Sequence, residues 1–269
     1  MNRILYASIV VALLTSCASS YNVTGSSSVS ALDGSKLYLK ALKSGEIKNI
    51  DSCDVVHGEF HFAGLLDTVR MVNLFMDDES LLPVVLEEGD IQVKIGLMGP
   101  SVGGTPLNDS LYSFIDRHNQ LINRMNELGH KQNQMILDAI PEQEIEEQLN
   151  AEAAQIAQEE DDLVTKFIEE NYDNVLGPGV FQMITSQYRF PILTPQIEYI
   201  MSKATDTFKK DRFVREYYAT AQENEERMNG LKEPAGAVPV QAQAPAPAQL
   251  PTDSLIPQTP APLTNVPKP

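Results

Sequence analysis

The sequence predicts an α+β fold, in which an N-terminal antiparallel β-sandwich or curled sheet precedes a helical region with a long helical hairpin and a disordered proline-rich tail. In residues 50–62 and 81–95, apolar residues alternate with polar ones, which is the period of a half-buried strand. From residue 107 they recur every three or four positions instead, as in an amphipathic helix. Beyond residue 230 prolines accumulate and large apolar residues become few.

These changes of pattern divide the chain into five segments. We expect a signal peptide at residues 1–16, a lipidated anchor and linker at 17–21, an antiparallel β-domain at 22–104, a helical domain at 105–229 and a disordered Pro/Ala/Gln-rich tail at 230–269. The tail cannot bury enough apolar surface to fold, so it is expected to be an extended linker.

The net charge of −17 limits the classes of partner. Nucleic acids and anionic lipid surfaces present phosphates that would repel such a chain, so we expect no nucleic-acid partner. The chain has no tryptophan and is 7% aromatic, which gives no support to sugar binding.

The first residues, MNRILYASIVVALLTSC, have the three parts of a signal peptide: a cationic start at Arg3, an apolar run and small residues before Cys17. The apolar run is too short for a permanent transmembrane anchor. Residues 14–17, LTSC, resemble the lipobox of bacterial lipoproteins, in which the cysteine becomes lipid-modified. The alternative is an ordinary cleaved signal with a chance cysteine. We therefore predict lipidation of Cys17 and membrane attachment through that lipid.

Residues 18–22 favour one location over others. Ala18 follows the cysteine where aspartate would retain a lipoprotein in the inner membrane, and no acidic run follows it. The expected location is the outer membrane, facing the periplasm. If Cys17 carries lipid, Cys53 is the one remaining thiol, which excludes an intramolecular disulfide or a CxxC redox pair.

The stretch IDSCDVVHGEFHF, residues 50–62, is rich in side chains that can bind metals or carry out redox chemistry. A two-residue turn at His57 and Gly58 would make it a β-hairpin. Cys53 would then lie on the apolar face, and Asp54 would face His61 on the polar one. This pair is a weak candidate site, because cross-strand opposite charges are common in sheets and one carboxylate with one imidazole falls short of a zinc site.

The stretch LLPVVLEEGDIQVKI, residues 81–95, predicts a second hairpin with its turn at Glu88 and Gly89. Leu82, Val84, Leu86, Ile91, Val93 and Ile95 would share the buried face, while Val85, Glu87, Asp90, Gln92 and Lys94 would take the polar face. With residues 21–26, 36–42 and 68–75, and turns such as Ser44 and Gly45, about six strands are expected.

The helical pattern predicts one long helix from Pro106, a break at residues 138–141, and a second long helix that completes a hairpin. His118 falls on the apolar seam and is expected to be a packed core residue rather than a metal ligand. The acidic run at residues 159–162 lacks the spacing of a calcium loop and reads as a solvated helix face. Shorter helices follow, one of them capped by Thr194 before Pro195.

A set of turn and strand residues carries a resemblance to a known domain. It resembles the uncharacterised N-terminal domain that precedes the thioredoxin-like domain in many thiol-disulfide interchange lipoproteins, which are related to alkyl hydroperoxide reductases. The resemblance covers about residues 22–112 and, more loosely, the helices up to residue 229. The matching residues are Asp33, Gly34, Tyr38, Leu39, Ile50, Asp51, Ser52, Gly58, Glu59, Phe60, Phe62, Gly64, Val85, Leu86, Glu87, Gly89, Ile91, Val93, Gly104, Thr105, Leu107, Asn108 and Asp109.

The chain departs from that family where the thioredoxin-like domain and its CxxC would follow, because only the proline-rich tail stands there. The resemblance therefore does not imply redox activity. We expect a lipid-anchored, non-catalytic envelope protein that acts as a binding or scaffold module for a partner protein or small ligand, with no catalytic residues, bound metal or cofactor. The alternative is an accessory module that docks onto thioredoxin-like or peroxidase proteins. An enzyme built on Asp54 and His61 is the least favoured reading.

Overall fold

The computed structural model of the protein describes residues 19–43, 46–97 and 99–230. Three expectations concern residues outside these ranges: the signal peptide with Cys17, the turn at Ser44 and Gly45, and the tail beyond Gly230. Within the described ranges the α+β prediction is confirmed, because two four-stranded sheets are followed by helices.

Eight strands form the N-terminal part, where about six were expected. They are β1 (Ser20–Ser27), β2 (Lys36–Lys43), β3 (Glu46–Asp54), β4 (Glu59–Leu65), β5 (Arg70–Met76), β6 (Glu79–Leu86), β7 (Gly89–Gly96) and β8 (Gly99–Gly103). Sheet A has the order β4-β1-β7-β8 and sheet B the order β3-β2-β5-β6. One ladder departs from the predicted antiparallel pairing, since β1 and β7 run parallel, with Tyr21 opposite Gly89.

The two sheets pack face to face as a sandwich, and alternate residues of each strand fill the space between them. In sheet B, Leu37 and Leu39 are fully buried. They pack in one hydrophobic cluster with inward residues of both sheets: Val23, Phe60, Phe62, Val72, Leu74, Leu82, Val84, Ile91 and Val93. Burial of each such side chain contributes about 1.5–3 kcal/mol, so this layer is the main stabilising element of the N-terminal part.

The predicted turn at His57 and Gly58 is present, but it connects the two sheets rather than two neighbours in one sheet. Both residues have positive φ, 54° and 77°. A side chain at Gly58 would also place its Cβ 2.7 Å from the carbonyl oxygen of Ser27. Val56 and Glu59 form the only bridge across the turn that is described. Away from the turn, β3 pairs with β2 in sheet B and β4 pairs with β1 in sheet A.

The second predicted hairpin also crosses between sheets, since β6 belongs to sheet B and β7 to sheet A. Its residues alternate between two faces as expected, but the second face is also buried at Val85 and Glu87. Val85 is fully buried and Glu87 is 7% exposed. The sequence pattern could not reveal that the start of α1 packs against this end of β6.

Six helices follow the sandwich in the described ranges. They are α1 (Pro106–Leu137), α2 (Glu142–Glu170), α3 (Leu176–Thr185), α4 (Pro195–Lys203), α5 (Asp206–Lys210) and α6 (Arg212–Met228). The first two form the predicted hairpin, and Thr194 caps α4 as expected, with its hydroxyl accepting the Ile197 N–H at 3.2 Å. None of the helices in the described ranges is both long and apolar enough to cross a membrane.

The start of α1 is fixed to sheet B by the side chain of Asn108, which is completely buried. Its Oδ1 accepts the Val85 N–H at 2.9 Å and its Nδ2 donates to the Val85 carbonyl at 2.8 Å. The side-chain amide thus makes the pair of bonds that a neighbouring strand would make. Because β6 is the last strand of sheet B, this contact covers part of an open sheet edge.

Glu87 completes this junction from the crossing between β6 and β7. Its Oε1 accepts the N–H groups of Leu107 at 2.9 Å and Asn108 at 3.0 Å, which are at the second and third positions of α1. Helix N-termini carry unpaired N–H donors and a partial positive charge, so a carboxylate is favourable there. Thr105, at the N-cap, accepts a bond from Asn108 Nδ2 at 2.9 Å.

The later helices pack through aromatic side chains that belong to the same hydrophobic cluster as the sandwich. Phe181 of α3 lies 5.6 Å from Phe208 and 5.4 Å from Tyr217, measured between ring centroids. The hydroxyl of Tyr172 donates to the Ile200 carbonyl at 2.7 Å. The hydrophobic core is therefore continuous from the sheets into the helices.

Replacement of Asn108 by alanine should destabilise the protein by about 2–4 kcal/mol, because it leaves the buried N–H and C=O of Val85 without partners. Urea unfolding followed by circular dichroism measures the change. Asn123, exposed on the same helix, is the matched control, and Asn123→Ala should change stability by no more than about 0.5 kcal/mol. Equal effects of the two substitutions would contradict the role given to the Asn108 amide.

Candidate functional site

The predicted cross-strand pair of Asp54 and His61 does not form, because the two residues lie in strands of different sheets. Asp54 is opposite Lys36 of β2, and His61 is opposite Thr24 of β1. The Nε2 atom of His61 lies 2.5 Å from Oδ1 of Asn22. The pair was predicted on the assumption that the turn at residues 57 and 58 closes a hairpin within one sheet.

Cys53 is partly buried beside the sandwich core, as its place on the apolar face predicted. Burial raises the pKa of its thiol to about 11, with a smaller contribution from the charges of Asp51 and Asp54 and against the lowering effect of a hydrogen bond from the His61 backbone. A thiol with such a pKa is neutral at physiological pH and a poor nucleophile.

The other titratable candidates are held by structural contacts. His118 stacks on Phe114 and places Nε2 3.0 Å from Oε1 of Glu160, within the hairpin. Glu159 binds Arg124 of the opposite helix at 2.5 Å. In the ranges the structure describes, no group of three His, Cys, Asp or Glu side chains is placed to hold a metal ion.

A half-open cleft of about 840 Å³ lies between the outer face of sheet B and the helices. β2 and β5 form its floor, α3 forms one wall, and the segment from α5 into α6 forms the other. Its apolar lining includes Met71, Val175, Met183 and Phe213. A partly apolar cleft between layers of secondary structure is where proteins commonly bind ligands or peptide segments.

The floor of the cleft is ordered by Lys40. Its ammonium group donates to the Asp77 carbonyl at 2.7 Å and lies 4.5 Å from the ring centroid of Phe75. The side chain is therefore held against the sheet by a hydrogen bond and a cation–π contact. Asn73 of β5 is exposed beside it, and its amide is open to the cleft.

Two glycines allow α3 to pack closely against its neighbours, one against the sheet and one against the end of α2. A Cβ at Gly179 would lie 2.3 Å from Sδ of Met71, and a Cβ at Gly177 would lie 2.4 Å from the Asn171 carbonyl oxygen. Gly179 thus brings the helix onto the floor, and Gly177 brings it onto the end of α2. These contacts set the width of the cleft at its inner end.

The charge of the cleft differs from that of the whole chain. Four basic residues line it against three acidic ones, while the whole chain has a net charge of −17. The basic residues are Lys40, Arg70, Lys210 and Arg212, and the acidic ones are Asp173, Asp211 and Glu216. Each basic side chain also lies near a carboxylate, so the cleft is close to neutral and repels a polar or weakly anionic ligand less than a surface with the average charge of the chain would.

The sequence did not predict this cleft. Its lining residues come from positions 40 to 216 and follow no local pattern. The one local signal is LGPG at residues 176–179, where two glycines within a helix indicate that another element approaches its backbone closely.

Comparison with known proteins assigns the N-terminal part of the chain to a domain class. Residues 21–111 match the family model of a domain of unknown function, DUF4369. No curated protein and no solved structure matches the chain. The matched segment contains the whole sandwich and the first residues of α1, so it includes the junction formed by Glu87 and Asn108.

The residues that carry the resemblance have structural roles in this fold. Asp33 accepts the Gly58 N–H at 3.1 Å and so supports the turn between β3 and β4. Asp51 accepts the hydroxyl of Tyr21 at 3.0 Å, which links sheet B to sheet A. Asp33, Asp51, Glu87 and Asn108 thus connect elements of the fold. None of these four residues lines the cleft.

The raised pKa of Cys53 predicts a thiol that reacts slowly and a loss of stability at alkaline pH. In the chain from Ala18 onward, Cys53 is the sole cysteine. At pH 8, a shift of the thiol pKa from 9.0 to about 11 leaves about a hundredfold less thiolate, so alkylation by iodoacetamide should be slower than in urea by a similar factor.

The same shift has a definite sign for stability. The folded state favours the neutral thiol, so the contribution is complete below pH 9 and is lost as the pH rises through about 11. Between these values the stability of Cys53→Ala should fall less steeply than that of the parent. Tyr21 has its own pKa raised to about 12 and is present in both proteins. Equal slopes, or equal alkylation rates in folded and unfolded protein, would show that Cys53 is not buried as described.

Proposed function

We propose that this protein is a lipid-anchored, non-catalytic binding or scaffold module of the cell envelope, facing the periplasm, and that its cleft holds a partner segment or a small ligand. The observation that carries the proposal is the cleft between sheet B and helices α3, α5 and α6. Methionine and phenylalanine on its walls give an adaptable apolar surface, and Asn73 with the basic residues provides hydrogen-bond donors.

The anchor part of the proposal rests on residues 1–17, which combine a signal peptide with a lipobox-like LTSC ending at Cys17. β1 begins at Ser20, three residues after that cysteine. A protein anchored there would keep its cleft near the membrane. The non-catalytic part is supported by the neutral Cys53 thiol and by the placement of Asp54 and His61 in strands of different sheets.

Lipidation can be tested directly by metabolic labelling of a Gram-negative host that expresses the full-length chain. Fed an alkyne-tagged palmitate, the cells should label the parent protein and Cys53→Ser, whereas Cys17→Ser should incorporate no label. Cys53→Ser is the matched control, because it removes the only other cysteine. Label that persists in Cys17→Ser would refute the anchor.

Binding in the cleft can be tested by filling it. Asn73→Trp places a large ring on the floor of the cleft, while Thr24→Trp places the same ring at an exposed position on the central part of sheet A. In-cell cross-linking and native mass spectrometry of the full-length proteins should detect a specific adduct or co-purified molecule with the parent and Thr24→Trp. Asn73→Trp should lose it. Retention by both variants would place binding elsewhere.

A second candidate function is an accessory module that docks onto thioredoxin-like or peroxidase proteins. It is favoured by the match of residues 21–111 together with the resemblance to domains that precede a thioredoxin-like domain. The same cross-linking experiment distinguishes it, because the captured partner would then carry a thioredoxin-like fold. That association should survive Cys53→Ser, since no mixed disulfide is involved.

A further inference from the structure

The outer part of the helical hairpin stands apart from the rest of the core, and we call residues 121–160 the arm. Its interior is a separate hydrophobic cluster of Leu121, Leu128 and Ile156, supplied by α1 and α2 alone. From residue 121 to the end of α1 the arm is about 25 Å long. It therefore presents two long sides and a tip that the sandwich does not cover.

One side of the arm is closed by ion pairs between the two helices. Arg124 binds Glu159 and Lys131 binds Glu152, each with an N–O distance of 2.5 Å. The residues of each pair recur at a spacing of seven, so both pairs lie along the same side. Arg124 and Lys131 are also the two Lys or Arg residues of the arm.

The opposite side of the arm is an open groove of about 460 Å³. Leu128, Gly129 and Gln132 line it from α1, and Glu146, Leu149, Asn150 and Ala153 line it from α2. The lining of the groove is therefore mixed, but Ile122 and Ile136 lie seven residues before and after Gly129 and, with Leu128, form an apolar stripe along α1. They are 37% and 58% exposed, and Leu137 next to them at the tip is 79% exposed.

Gly129 has no role in the packing of this chain. A Cβ at this position would meet nothing within 4 Å, and its φ is not in the left-handed region. A glycine inside an exposed helix is destabilising relative to alanine. A glycine at an exposed helix position is explained if another backbone packs against it, because small residues allow two helices to approach closely.

The charge of the arm restricts what can lie in the groove. Nine acidic residues stand against Arg124 and Lys131 in residues 121–160, and both cations already bind α2. A second copy of the arm would bring two strongly acidic surfaces together, and an anionic membrane would be repelled in the same way. A helix with an apolar face flanked by lysine or arginine would cover the apolar stripe and pair its cations with the acidic residues of the arm.

We propose that the arm binds a basic amphipathic helix of a partner protein, which lies in the groove over Gly129 as a third helix. The apolar face of that helix covers Ile122, Leu128 and Ile136, and its basic flanks face the acidic residues of α2. This contact is separate from the cleft on sheet B, so either proposal can fail without the other.

The test uses the purified full-length chain and a fluorescent synthetic helix of roughly 18 residues, about five turns, with leucine on one face and lysine on the other. Fluorescence anisotropy should detect binding to the parent protein. Gly129→Glu adds a favourable charge for this probe but fills the groove, so affinity should fall about tenfold or more. Asn123→Glu adds the same charge at another exposed position of α1 and should not weaken binding.

Glutamate raises the intrinsic helix propensity relative to glycine, so Gly129→Glu should keep its helical circular dichroism. The proposal is overturned if the lysine probe does not bind, if Gly129→Glu binds it as tightly as the parent, or if a matched leucine–glutamate probe binds equally well. Concentration-dependent self-association that Gly129→Glu abolishes would also overturn it, since the groove would then be an interface between two copies.

Discussion

The side chain of Asn108 joins the two halves of the molecule. It replaces a neighbouring strand at Val85 on the edge of sheet B, while its own backbone N–H is held by Glu87. A buried carboxylate and a buried amide are unfavourable unless their polar atoms are paired, and here each satisfies part of the other's requirement. The position of α1 follows from this junction, and the later helices pack from α1 and α2 outward.

The cleft is a consequence of the same arrangement. α1 lies along the open edge of sheet B at β6, where the hydroxyl of Tyr112 donates to the Pro83 carbonyl at 3.0 Å. α3 packs on the outer face of the sheet at Met71, through Gly179. The part of sheet B beyond Met71 is left without a helix directly on it. The segment matched by the family model, residues 21–111, therefore fixes where α1 begins. The shape of the cleft depends on the helices that follow residue 111.

The sequence predicted which residues of a strand are buried better than it predicted which strands pair with each other. When two successive strands form a hairpin, their apolar residues lie on the same face of one sheet. When the chain instead crosses from one sheet of a sandwich to the other, the apolar residues of the two strands point into the shared core from opposite sides. Both arrangements need the same alternation, so residues 50–62 and 81–95 could not distinguish them. Helix boundaries at Pro106 and Pro141 were predicted well because proline restricts the local backbone directly.

The residues of the cleft could not be predicted for a different reason. Lys40, Met71 and Phe213 are brought together by tertiary packing over most of the chain, and none of them interrupts its local pattern. The Asp54 and His61 pair failed because its prediction needed the identity of the neighbouring strand, which alternation does not encode. Cys53 was placed correctly since its burial depends on the face alone.

The parallel pairing of β1 with β7 has a consequence for how the chain folds. β1 lies inside sheet A, between β4 and β7, yet it is the first strand in the chain. Its antiparallel partner β4 follows at residues 59–65, but its parallel partner β7 follows only at residues 89–96. Sheet B includes two pairs of strands that are consecutive in sequence, so it has lower loop-closure entropy to overcome. Sheet A can therefore be completed only after β7 is available, and until then Tyr21 and Val23 of β1 lack one of their two neighbouring strands.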